Sequence, residues 1–180
     1  MTFTFINAGL SGTTAKEGLN RLERDVIRFR PDLTVVCFGL NDVGKGSEGL
    51  WEYKSSLGEI FAALLKSESD VVFMTPNHMN DRVDCKITDP YIRLIAEKTM
   101  SLQTGGIMDQ YMYAALETAK EMGVKVCDWY GQWNRLKAAG VDTTGLLANL
   151  INHPVRELHR LFASELFHTL FFSEKESDSA

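Results

Sequence analysis

Short apolar runs alternate with longer amphipathic stretches along this chain. Residues 33–38 (LTVVCF) and Asp70–Met74 (DVVFM) are β-branched and apolar at consecutive positions, so each would be buried on both faces, as in a parallel sheet. Residues 124–128 (VKVCD) and residues 3–8 read as two more strands. Ala15, Leu19, Leu22, Val26 and Phe29 recur at steps of three and four and predict a first helix. Its start fits the capping-box pattern in Thr14-Ala15-Lys16-Glu17, and Pro31 is expected to end it. Leu57, Ile60, Phe61, Leu64 and Leu65 mark a second helix. Residues 107–122 mark a third, with Gly123 as its C-cap, and residues 132–138 a short fourth. Pro154 is expected to open the last helix, whose stripe is Val155, Leu158, Leu161, Phe162, Leu166 and Leu170. Residues 78–103 follow no single period and have the length of a substrate-facing insertion.

Four strands alternating with helices predict an α/β domain: a three-layer α/β/α sandwich with a mainly parallel, flavodoxin-like sheet. One domain over residues 1–172 and a polar tail over 173–180 (SEKESDSA) account for the chain. In such sheets ligands meet the loops beyond the carboxyl ends of the strands. Here these are residues 9–13, 39–46, 75–81 and the segment before Pro154.

Composition narrows the classes. Apolar residues are 44% and charged residues 24%, ordinary for a globular chain and unlike a disordered or collagenous one. With 24 acidic against 19 basic residues the formal charge is -5, which argues against nucleic acid or an anionic membrane as partner. Cys37, Cys85 and Cys127 form no CxxC pair, so neither a zinc ribbon nor a disulfide framework is indicated, and no metal is expected. Reduced thiols and a start without a basic, apolar leader suggest a cytoplasmic protein with no membrane span. Neither G-x-G-x-x-G nor a P-loop is present, which weakens a nucleotide-binding reading.

The loops carry Asn7-Ala8-Gly9-Leu10-Ser11-Gly12-Thr13-Thr14, then Gly39-Leu40-Asn41-Asp42, then Asn149-Leu150-Ile151-Asn152-His153-Pro154. In this the chain resembles the SGNH/GDSL hydrolases, a family of serine esterases and lipases, from Asn7 to about Phe172. The resemblance implies that the Gly12 N–H and the Asn41 side-chain amide form an oxyanion hole, and that His153 is the general base. It gives Asp42 a supporting role in holding its loop. His78 and Asn77, on the loop after the third strand, are candidates to touch substrate; His159 and His168 are surface or boundary residues of the last helix. Ser11, beside Gly12, has a place as a turn serine, and the family puts no nucleophile there.

Two departures from the family follow. Its nucleophile lies in a Gly-Asp-Ser block after a central first strand, and no Gly-Asp-Ser occurs in these 180 residues. A strand-plus-helix unit, about 30 residues by the usual size of such units, is therefore expected to be missing, leaving residues 3–8 and 33–38 either separated by a gap or paired directly. The family's Asp three residues before the histidine is Leu150 here. Asn149 and Asn152 are the nearest polar residues, with Asp142 further upstream, so an amide or a carbonyl is expected to orient His153. The resemblance thus implies a cofactor-free hydrolase of small acyl esters, an O-acetylated carbohydrate among them, working through an acyl-enzyme. The rival is a non-catalytic remnant that binds a ligand without turnover.

Overall fold

Three parallel strands, β1 (Leu33–Val36), β2 (Asp70–Met74) and β3 (Lys125–Cys127), form the sheet in the order β1-β2-β3 of a computed structural model that describes residues 4–172. Between and around them run α1 (Ala15–Asp25), α2 (Leu50–Lys66), α3 (Pro90–Thr104), α4 (Ile107–Glu121), α5 (Trp129–Ala138) and α6 (His159–Phe171). The α/β class and the parallel sheet are as the apolar runs predict. The polar tail after residue 172 and residues 1–3 lie outside the described residues.

Register decides which strand residues share a face. Thr34, Val36, Val71, Phe73 and Val126 face α1, α2 and α4, where Tyr53, Leu57, Ile60, Phe61 and Leu64 of α2 supply most of the core. Phe61 meets Phe73 edge to face at 5.7 Å, the arrangement that favours aromatic pairs. On the other face α6 covers β3, and Lys125 Nζ donates to the Thr169 carbonyl at 2.9 Å. Trp129 and Trp133 of α5 join Leu147, Leu158 and Phe162 in a second, smaller core.

That cover stops short of β1. Val35 lies opposite Val72 on the α6 face, yet Val35 is 40% exposed and Val72 2%. Leu33 is exposed beside it.

Residues 3–8 were expected to form a strand, and this is corrected: the described part, residues 4–8, takes no regular structure, and Phe5 is 92% exposed. Among the described residues β1 pairs only with β2, and residues 4–8 do not take up its outer edge; an apolar run becomes a strand only where its backbone lies along another strand. The Arg21 guanidinium donates to the Ala8 carbonyl and ties the segment to α1 instead. Neither a simple gap between two strands nor direct pairing describes it.

The capping box forms as predicted: Thr14 Oγ1 accepts from the Glu17 N–H and Glu17 accepts from the Thr14 N–H. The first helix stops at Asp25, before Pro31, and Arg30 closes a 3-10 turn in the left-handed region. The mixed segment 78–103 resolves into a loop and α3, capped by Asp89 ahead of Pro90. Pro154 does not open the last helix. It is extended, bridged antiparallel to Leu147, and α6 begins only at His159 after a 3-10 turn.

Candidate functional site

The loops that leave the carboxyl ends of the strands are fastened to one another. Asp42 is the first fastener. It is buried, its Oδ1 accepts from the Ala15 N–H at the start of α1 at 2.8 Å, and its Oδ2 accepts from the Gly39 N–H at 3.0 Å. Burial pushes its carboxyl up, and those backbone donors hold it down. Beside it, exposed Asn41 donates from Nδ2 to the Thr13 carbonyl at 3.0 Å. Asn41 thus stands against the residue that follows Gly12. The second Asn41 N–H and the Gly12 N–H have no acceptor among the described residues. Gly12 is exposed with φ +77°, a turn that favours glycine.

The next step along the edge is Gly39 to Pro76, where a side chain added at Gly39 would lie 3.4 Å from the proline ring. Asn77 then reaches the last loop, donating from Nδ2 to the Asn152 carbonyl at 2.9 Å. From the same loop the Asn80 N–H donates to the Ile151 carbonyl at 2.7 Å. The loops of Gly12, Asn41 and His153 therefore follow one another along a single sheet edge.

His153 itself is exposed, and its ring has no hydrogen-bond partner among the described residues. Its loop is tightly built. Asn149 Oδ1 accepts from the N–H groups of Ile151, Asn152 and His153, and Asn149 Nδ2 donates to Asn152 Oδ1. Leu150, at the position of the family's Asp, sits in the left-handed region at φ +58°. Neither asparagine meets the His153 ring; both shape the backbone under it. Asp142 pairs with Arg82 and caps the Gly145 N–H, away from His153.

Asn77 and His78, expected to touch substrate, are buried instead, at 4% and 2% exposure. The His78 ring lies 4.3 Å from Tyr130 and 6.0 Å from Trp133, centroid to centroid. Burial lowers it to about 4, and its Nε2 has no hydrogen-bond partner among the described residues. Two consecutive polar residues after a strand read as a rim; the His153 loop closes on Asn77, and the aromatic rings of α5 pack on His78. Ser11 is exposed next to Gly12, and His159 and His168 are exposed on α6. Asn80 escaped the sequence reading. It is fully buried, binds Arg82, Ala96 and Thr99, and its one signal was the density of asparagines in two loops. Among the described residues no group of three or more His, Cys, Asp or Glu side chains is placed to hold a metal ion. No helix among them is long and apolar enough to cross a membrane.

Comparison with known proteins bears on the family and the fold. Residues 2–161 match the model of the GDSL-like lipase/acylhydrolase family. An acetylxylan esterase of Geobacillus stearothermophilus is 30% identical over 112 residues, 54% of this chain and 51% of that protein. The chain thus spans about half the length of the curated relative it matches. Among solved structures, the acetylxylan esterase Axe2 of the same organism superposes with a TM-score of 0.68 at 23% identity, covering 94% of this chain and 73% of that one. The acetyl xylan esterase AlAXEase gives a TM-score of 0.70 at 19% identity, over 90% and 78%.

Proposed function

We propose that this chain, which belongs to the GDSL-like lipase/acylhydrolase family, serves a serine ester hydrolase that moves the acyl group of a small ester to water. Similarity to acetylxylan esterases makes an O-acetylated carbohydrate the substrate class of choice. In this reading His153 takes the proton of a serine hydroxyl as that oxygen attacks the ester carbonyl. The carbonyl oxygen becomes negative and receives the Gly12 N–H and the free Asn41 amide hydrogen. His153 then gives its proton to the departing alcohol, and water repeats the cycle on the acyl-enzyme. The observation that carries the reading is a pair of donor hydrogens without an acceptor among the described residues, the Gly12 N–H and the second hydrogen of Asn41 Nδ2, brought near each other by the bond from the first Nδ2 hydrogen to the Thr13 carbonyl.

The serine is the open part. No Gly-Asp-Ser stands in the 180 residues, so the reading draws its nucleophile from outside them; Ser11 is the candidate within. Labelling with a serine-directed fluorophosphonate, followed by peptide mapping, tests this. The 180-residue chain is expected to take no label and to release little acetate from acetylated xylo-oligosaccharides. Joined to a strand-and-helix unit carrying Gly-Asp-Ser, it is expected to take one label on that serine. In that active form Asn41→Ala should lower kcat by about 100- to 1000-fold and leave KM nearly unchanged. Stoichiometric label on Ser11 would overturn the assignment of the nucleophile. Acetylated sugar bound without turnover in the completed protein would favour the non-catalytic alternative.

A further inference from the structure

We infer that Asn77 is a positioning residue for His153, an inference that rests on reading His153 as the base. The relevant unit is the peptide plane between Asn152 and His153. Its carbonyl accepts from Asn77 Nδ2 at 2.9 Å, and its N–H donates to Asn149 Oδ1 at 2.9 Å. The His153 carbonyl in turn accepts from the Ala148 N–H at 2.6 Å. The backbone on both sides of the His153 Cα is therefore held, which leaves the ring only its own side-chain torsions.

These holds come from different places. Asn149 and Ala148 belong to the histidine's own loop, and they fix its shape. Asn77 lies three residues beyond β2 and fixes that loop against the sheet edge that also carries Asn41. Its amide is buried, and both of its hydrogens are used, the second on the His78 carbonyl at 2.7 Å. A side chain at this place must donate to two carbonyls, so an amide fits and a carboxylate does not. The loop has a second anchor that does not touch His153: the Asn80 N–H on the Ile151 carbonyl, with Ile151 buried against Ile87 and Ala96. Losing Asn77 should therefore tilt the histidine and leave the fold standing.

Two variants and two readouts test this. In the completed, active enzyme Asn77→Ala is expected to lower kcat for p-nitrophenyl acetate by about 10- to 100-fold, with KM within about twofold, as a small misplacement of a catalytic group does. Asn77→Asp is expected to be as poor at pH 8 and to regain activity relative to the parent as the pH falls, because only the protonated carboxyl can donate to Asn152. The second readout, amide hydrogen exchange in the 180-residue chain, needs no catalysis. Asn77→Ala should speed exchange of the His153 N–H by about tenfold or more, with Val72 in β2 unchanged. Unchanged kcat, an Asp variant whose ratio to the parent is flat with pH, or unchanged exchange at His153 would each overturn the inference. If the parent hydrolyses no ester while exchange at His153 still responds, the functional reading has failed and the hold of Asn77 on the loop stands.

Discussion

Asp42 Oδ1 and the Ala15 N–H are 2.8 Å apart across 27 residues of chain, and this bond joins the Asn41 loop to the first turn of α1. The same carboxylate caps the Gly39 N–H. Removing it strands two buried donors, each costing about 1–3 kcal/mol when unsatisfied. Asp42→Ala is therefore expected to lower stability by about 2–6 kcal/mol. Asp42→Asn should recover part of this, since the two N–H groups meet different oxygens and the amide puts an NH2, which cannot accept, in place of one of them. Urea midpoints of the three proteins at constant m-value decide it; an Ala variant as stable as the parent would remove Asp42 from its structural role.

The buried imidazole of His78 makes stability depend on pH. Burial is the main cause of its fall to about 4; Asp109 and Asp81 oppose it, and Lys137 adds to it. In the unfolded chain an ordinary histidine titrates near 6.5. Between those values the unfolded state binds the proton and the folded state does not. Stability is thus complete above about pH 6.5 and is lost as the pH falls toward 4, by up to about 3 kcal/mol. His78→Phe keeps a ring between Tyr130 and Trp133 but cannot take a proton. Its stability should change much less than the parent's between pH 7.5 and pH 4.5 by chemical denaturation. Equal slopes would show that other groups carry the acid sensitivity.

What could be read ahead of the structure follows from how local each signal is. The strand Asp70–Met74 and the Thr14–Glu17 capping box depend on neighbours in sequence, and both stand where the pattern puts them. Residues 3–8 carry as good a strand pattern, but pattern does not bring a segment to a sheet, and residues 4–8 do not pair with β1 among the described residues. Pro154 suits a helix start equally well; the bridge to Leu147 claims it instead. At the candidate site, the loops of Gly12, Asn41 and His153 could be placed from the elements beside them, because each loop adjoins a helix or strand with a local signal. The burial of Asn77 and His78 was not, because it depends on distant parts of the chain: residues 149–153 fold back onto Asn77, and Tyr130 and Trp133 of α5 pack on His78.

Gly12 holds φ +77° with open space where a side chain would project, so conformation alone decides the effect of Gly12→Ala. An L-residue in that region costs about 1–2 kcal/mol. The variant should either show that loss in its urea midpoint or relax the turn and swing the Gly12 N–H away from Asn41. Only the second lowers acetate release in the active enzyme, and only the first lowers stability in full. A variant with parental stability and parental kcat would show that neither the turn nor its N–H matters.

The two faces of β1 give the last prediction. Val35 and Val36 are adjacent on one strand and so point to opposite sides of the sheet. Val36 belongs to the main core beneath α1 and α2, and Val35 faces the side that α6 leaves bare. Replacing a core valine by threonine buries a hydroxyl with no partner, and on mutational scales this costs about 1–3 kcal/mol. On the bare face the hydroxyl keeps its water, and a surface change of this kind stays within about 0.5 kcal/mol. In the 180-residue chain Val36→Thr should therefore be far the more damaging, read as a difference in urea midpoint at equal m-value. Joining the strand-and-helix unit that carries Gly-Asp-Ser should raise the cost of Val35→Thr toward that of Val36→Thr, because the added helix would take that face out of water. Equal costs in the chain as it stands would mean that the face of β1 is already covered in solution, by self-association or by a rearranged α6, and sedimentation of the Val35→Thr variant would tell these apart.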